Sequence, residues 1–179
     1  MKTLTAMHVR DACLAVLILA LTNGTAYSDE RFDASEALSH RLAAYSRAAS
    51  LAPLGSHGPE LRVWVDGVMF GKIRGFVISR NGVIECETSW DIDGSVVTVK
   101  SVRCKPRTVS DRARRALSLL PELSNLNGKE LDCGVEDGSD VFLEGWNSLG
   151  SFVLFAGNPS SCRDPGSVLV TRLLKILGT

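Results

Sequence analysis

The chain has 179 residues, 20 basic against 20 acidic side chains, and a mean hydropathy of +0.10. Balanced charge provides no whole-protein drive toward nucleic acid or an anionic membrane. With a single strongly apolar run at the N-terminus, this composition excludes a basic nucleic-acid binder and a multi-span membrane protein, and is compatible with one globular domain.

Lys2 and Arg10 make a basic start, Ala12–Leu21 is an uninterrupted apolar run of ten residues, and Thr22-Asn23-Gly24 breaks it. Small residues follow as Gly24-Thr25-Ala26 and Ala26-Tyr27-Ser28, the spacing a signal peptidase requires. A membrane-spanning helix needs roughly 20 apolar residues, about twice this run. Residues 1–28 are therefore expected to be a cleaved secretory signal rather than an anchor. Cys13 lies inside the run after Arg10-Asp11-Ala12, a context unlike that of a lipidated cysteine. Removing 28 of the 179 residues leaves 151, with 18 basic and 19 acidic side chains once Lys2, Arg10 and Asp11 are gone, a net charge of −1.

Four cysteines then remain: Cys86, Cys104, Cys133 and Cys162. In an exported chain an even count reads as two disulfides, with three pairings open. Cys86–Cys104 and Cys133–Cys162 are favoured, because each pair brackets a hairpin-rich segment and ends before a helix. No Cys-x-x-Cys occurs, and beyond the signal only His40 and His57 remain. Neither a zinc site nor a thiol redox site is expected.

Residues 29–59 read as a helix and a linker. Asp33 and Glu36 have capping-box spacing, and Ala34, Leu38, Leu42, Tyr45 and Ala49 recur at helical intervals. Pro53-Leu54-Gly55-Ser56-His57-Gly58-Pro59 follows as a linker, so this helix is expected to pack loosely. Residues 60–179 read as a single α+β domain. Leu61, Val63 and Val65 alternate with Arg62, Trp64 and Asp66, the period of a strand. A second strand stretch covers Val68 to Ser79. Asn81-Gly82 is the strongest hairpin signal, expected to form a type I′ turn. Asp93-Gly94 turns the chain into Val96–Val99. A helix follows, capped by Thr108 and Asp111, lined by Ala113, Ala116, Leu117 and Leu120, and stopped by Pro121. A second meander runs over Glu130–Glu136, Val141–Trp146 and Ser151–Ala156. Asp164 caps the last helix with Pro165 at its first position. Val168, Val170, Leu173, Leu174 and Leu177 are expected on its buried side, and Gly178 ends it. The fold class is thus an antiparallel sheet of about six or seven strands, in two meanders, with helices packed on it and two disulfides. The two halves share an element order, a weak sign of duplication.

Catalytic signatures are scarce. Gly-x-Ser-x-Gly is absent, and His40 and His57 lie where a rigid base is poorly held. Gly67–Lys72 echoes a phosphate loop but has three residues between its glycines and Ile73 where a magnesium-binding hydroxyl is needed. Asp91 and Asp93 resemble the start of a calcium loop, yet Val102 stands where the closing glutamate belongs. The acidic groups Glu85, Glu87, Asp91, Asp93 and Glu136, Asp137, Asp140, Glu144 could supply a glycosidase pair, though a solvated strand face accounts for them more simply. No cofactor is implied.

The densest local charge is basic: Lys100, Arg103, Lys105, Arg107, Arg112, Arg114 and Arg115 stand against Asp111 alone. Two readings compete, an anionic partner and internal pairing with the acidic second meander. No aromatics interleave, which leaves base stacking without support. Trp64 is read either as core or as an exposed interface residue on the strand face opposite Leu61. Together these features lead to an expectation of a secreted or periplasmic bacterial protein that binds, without catalysis, an envelope protein or an anionic surface polymer through Arg107, Arg112, Arg114, Arg115 and Trp64. No membrane span after signal cleavage and no nucleic-acid partner are expected. The rivals are a glycan-acting enzyme using Glu85 or Glu144, and an inhibitor or immunity-type protein plugging a partner through Asn147–Gly150 or Asn158–Ser161.

Overall fold

In a computed structural model the described residues are 34–67, 72–93, 96–107, 110–134 and 138–179. The expected signal, the Asp33 and Thr108 caps, the Gly67–Lys72 loop, and the turns at Asp93-Gly94 and Asp137-Gly138 fall wholly or partly outside them. Residues 34–179 form one compact unit.

Strand β1 (Glu60–Gly67) is the centre of assembly. It pairs antiparallel with β2 (Lys72–Ser79) on one side and with β6 (Ser139–Asn147) on the other. The chain continues outward from β2 through β3 (Gly82–Asp93) to β4 (Val96–Arg107), and from β6 to β7 (Gly150–Gly157). A three-residue strand, β5 (Glu130–Asp132), joins β7 in parallel. The result is one seven-stranded, mostly antiparallel sheet ordered β4-β3-β2-β1-β6-β7-β5. The two expected meanders are thus fused through β1 and β6, and the second contributes one hairpin plus the short parallel strand.

Side chains alternate along each strand, and both faces of β1 are buried. On one face, Leu61, Val63, Phe76, Ile78, Val141, Leu143, Phe152 and Leu154 meet three helices: α2 (Ser110–Leu117), α3 (Leu120–Ser124) and α4 (Pro165–Leu177). On the other, Trp64, Ile73, Cys86 and Phe142 meet α1 (Ala34–Ala48) through Leu38, Leu42 and Tyr45. The first helix is therefore seated on the sheet. Loose packing was expected from the linker, but the sheet face beneath α1 is apolar and aromatic, and burying it outweighs ordering the connection.

Trp64 is fully buried (0% exposed). Its ring lies 5.2 Å from that of Tyr45, and its place as an exposed interface residue is corrected to core. It covers Gly75, its direct partner on β2, where an added Cβ would come within 2.2 Å of the indole.

Several local details differ from the sequence reading. The β2–β3 hairpin loop is Arg80-Asn81, with Ser79 paired to Gly82. Gly82 takes the positive φ of +134° while Asn81 does not, and the Asn81 N–H donates to Ser79 Oγ at 3.2 Å. The turn is thus displaced by one residue from a type I′ hairpin centred on Asn81-Gly82. Pro121 begins α3 instead of merely stopping α2, since its missing N–H costs nothing in a first turn. Val168 faces solvent at 55% exposure, leaving Val170, Leu173 and Leu177 to carry the buried side of α4. The ends of α4 are as expected: Asp164 accepts from the Ser167 N–H, and Gly178 closes the helix at φ +80°. The hydrogen bonds from Ser167 hold the Asp164 carboxyl below its ordinary pKa.

The disulfides are Cys86–Cys104 and Cys133–Cys162. The first joins directly paired residues of β3 and β4, with Cα atoms 4.0 Å apart. The second ties the segment after β5 to the loop before α4 across 5.8 Å. No helix among the described residues is long and apolar enough to cross a membrane.

Gly75→Ala is expected to cost about 1–3 kcal/mol by forcing a methyl group into the buried indole. Urea unfolding measures it, and an unchanged midpoint would show that the Trp64–Gly75 contact is not a tight one.

Candidate functional site

The basic stretch divides between an edge strand and a helix. Strand β4 ends the sheet, so β3 is its only neighbour. Alternation places Arg103, Lys105 and the Arg107 position on the face that also carries α2, while Val102, Cys104 and Pro106 take the other. Pro106 is tolerated because an edge strand has one unpaired side. Arg103 and Lys105 are exposed, and they stand in register with Glu87 and Glu85 of β3. Glu85 also accepts from Arg74 at 2.7 Å. Among the described residues, register thus gives this strand its carboxylate neighbours on β3. Glu85 and Glu87 belong to a charged lattice on a partly solvated strand face.

On α2 the arginines have separate tasks. Arg112 is half-buried and donates to the Leu177 carbonyl at 3.2 Å, closing the C-terminal end of α4. Arg114 lies 3.2 Å from Asp111, one turn away, with both side chains mostly exposed; such a pair adds little. Arg115 is exposed. Arg114 also shares a shallow hollow of about 300 Å³ with Arg80, Ala113 and Leu117. The β2–β3 hairpin thus delivers a cation, Arg80, that distance along the chain had separated from the basic stretch.

Sequence reasoning missed a buried ionic cluster on the opposite face. Arg62 is 3% exposed. Its Nε donates to Glu60, one Nη to both Ser46 Oγ (3.0 Å) and Glu144 (3.2 Å), and the other Nη to the Ala52 carbonyl (2.6 Å). Ser46 Oγ in turn donates to Glu144 at 2.7 Å. One guanidinium thereby ties β1, β6, the last turns of α1 and the segment after it. The signal was present in the sequence: Arg62 shares a strand face with Trp64, and a face holding a tryptophan under an amphipathic helix is not a solvated one. Glu85 and Glu144, the acids of the glycan-enzyme alternative, both already accept hydrogen bonds from arginines.

A second polar group lies farther along the same face. Asp66 and Asp140 are direct partners across β1 and β6. Burial pushes both carboxyls above the ordinary range; Arg41 opposes this, and for Asp66 the Asp140 charge adds to it. Asp132 raises Asp140 further. Burial also lifts Tyr45 to about 12, against the pull of Arg41. Arg41 lies 4.8 Å from the centre of the Phe142 ring, spanning the cluster. No metal-binding group of His, Cys, Asp and Glu occurs among the described residues.

The loops of the inhibitor alternative differ from each other. Asn147 and Gly150 pair across a tight hairpin whose tip carries Leu149 at 81% exposure. Asn158, by contrast, is buried at φ +42° and its N–H donates to the Ser139 carbonyl, so that loop folds inward.

Arg62→Ala is expected to cost about 3–5 kcal/mol, because Glu60 would remain buried, and Glu144 partly buried, without a counter-charge; denaturant unfolding measures it, and a loss under about 1 kcal/mol would mean water replaces the guanidinium. Asp140 gives a pH signature. A carboxyl raised on folding binds its proton more tightly in the folded state, so its contribution to stability is lost as pH rises from the ordinary carboxylate range through the raised value. Asp140→Asn removes that loss. The variant's gain in thermal midpoint over the parent should be larger near about pH 7.5 than near about pH 3.5; a gap independent of pH would contradict it.

Comparison with protein-family models gave no match, and comparison with curated proteins gave none, so the functional reading rests on the geometry described above.

Proposed function

We propose that the protein is an exported, disulfide-stabilised binding domain that engages an anionic polymer of the cell envelope through the face carrying β4 and α2. The observation that carries this reading is that exposed cations from three elements stand on one side of the sheet, two of them, Arg80 and Arg114, around one hollow. Arg103 and Lys105 come from the edge strand, Arg114 and Arg115 from α2, and Arg80 from the β2–β3 hairpin. Arg107 belongs to the same strand face by register, opposite Val83. Arg112 serves the α4 terminus instead, and Trp64 serves the core.

Binding, and not acid–base chemistry, is favoured because Glu85 and Glu144 are each engaged by an arginine. Export is supported by the N-terminal pattern of residues 1–28 and by two disulfides, which persist in oxidising compartments.

The test is retention on an immobilised anionic polysaccharide. The triple variant Arg80→Glu, Arg114→Glu, Arg115→Glu should elute at distinctly lower salt than the parent while remaining folded, at a cost of about 1–2 kcal/mol from carboxylates placed in the last turn of α2. Equal elution of the two proteins, or retention insensitive to salt, would overturn the proposal.

A further inference from the structure

The face beneath α1 is not covered along its whole width. In register across the sheet, Arg62 is followed by Val77, Ile84 and Pro106. Helix α1 packs against β4, β6 and β7, but at the β3–β4 end of the Arg62 row Ile84 is 38% exposed and Pro106 is exposed. The segment after the helix, with Leu51 and His57, overhangs this row and closes a groove of about 410 Å³. The overhang is held in place at two points. Arg62 binds the Ala52 carbonyl, and Trp146 packs so closely on Gly55 that an added Cβ there would lie 2.6 Å from the indole. The groove is thus built on the ionic cluster.

Its chemistry is asymmetric. Leu51, Val77, Ile84 and Pro106 make apolar walls, while the inner end is polar. There two carboxylates, Glu60 and Glu144, share the single guanidinium of Arg62, leaving one negative charge in excess. Of the two, Glu60 lines the groove, beside Arg62, and it is 6% exposed. A carboxylate so far removed from water, with only part of a guanidinium's charge to offset it, is best completed by a second cation. The walls select what carries that cation.

We propose that this groove is a binding site for a small amphipathic amine, with its ammonium group directed to Glu60 and its apolar body along Val77, Ile84 and Pro106. The site is independent of the basic surface: the two lie on opposite faces of the sheet and attract opposite charges.

The test is an amide-resonance titration of the disulfide-bonded protein with n-hexylamine, hexanoate and hexanol. Hexylamine should shift Leu51, Val77 and Ile84 and bind at least about tenfold more tightly than either of the others. Ile84→Lys places a competing ammonium at the groove mouth. Because Ile84 lies outside the ionic cluster and is partly exposed, this variant should stay folded and lose hexylamine binding by at least about tenfold. Hexanoate or hexanol binding as well as hexylamine, no shifts in the groove, or undiminished binding by folded Ile84→Lys would each overturn the proposal.

Discussion

The architecture depends on one buried guanidinium. Arg62 stands on the central strand, under the edge of α1, where an unpaired charge would be costly. Its hydrogen bonds reach β1, β6, the helix and the segment beyond it. Apolar contacts alone would let α1 slide over a surface of aromatic and aliphatic side chains. A fork of directed donors does not, since each acceptor must return to its own position. The cluster therefore sets where the helix ends and how the following segment crosses the sheet. That crossing creates the overhang above Ile84 and Pro106. A polar interaction that contributes modestly to net stability thus determines the shape of a surface groove.

Around this point the molecule is built in three layers. The central strand is buried on both faces, with three helices on one side and α1 on the other. Double coverage explains a sequence that alternates polar and apolar residues yet is buried from Glu60 to Trp64. In the polar set of β1, Arg62 lies between Glu60 and Glu144, Asp66 is half-buried opposite Asp140, and Trp64 fills the space above Gly75. The disulfides fasten the exposed Cys104 and Cys133 to the buried Cys86 and Cys162. Cys86–Cys104 locks the edge strand to its neighbour, and Cys133–Cys162 fastens the turn after β5 to the entry of α4.

The outer edge at β4 shows how charge is divided between structure and surface. Basic residues along an exposed edge oppose strand-to-strand aggregation. The β3 carboxylates balance part of that charge in register, and Arg112 serves a helix terminus. What remains outward, from Arg80, Arg114 and Arg115, is set by which backbone elements meet on that face. On the opposite face, Glu60 and Glu144 flank a single guanidinium, that of Arg62.

Much of the fold was legible locally. The apolar periodicities of α1 and α4, the Asp164 cap, the Gly178 stop, the alternation of β1 and the Cys86–Cys104 pairing across one hairpin follow from short-range rules, because each depends on neighbours within a turn or a hairpin. The turn at Arg80-Asn81, the second helix begun by Pro121 and the outward Val168 were misread by a residue or a turn, where tertiary packing chooses among local options of similar energy. The candidate surfaces were legible only in part. Arg103, Lys105, Arg114 and Arg115 are adjacent in sequence, but Arg80 joins them only through the sheet. The Arg62 cluster draws on Ser46, Ala52, Glu60 and Glu144, which no local pattern connects. By itself the sequence determined most of the elements, which depend on near neighbours, and the balance of charge, and it favoured the disulfide pairing that the structure holds. Only the tertiary structure decided which polar groups share a buried face, because desolvation acts on groups brought together by packing and leaves no periodic trace along the chain.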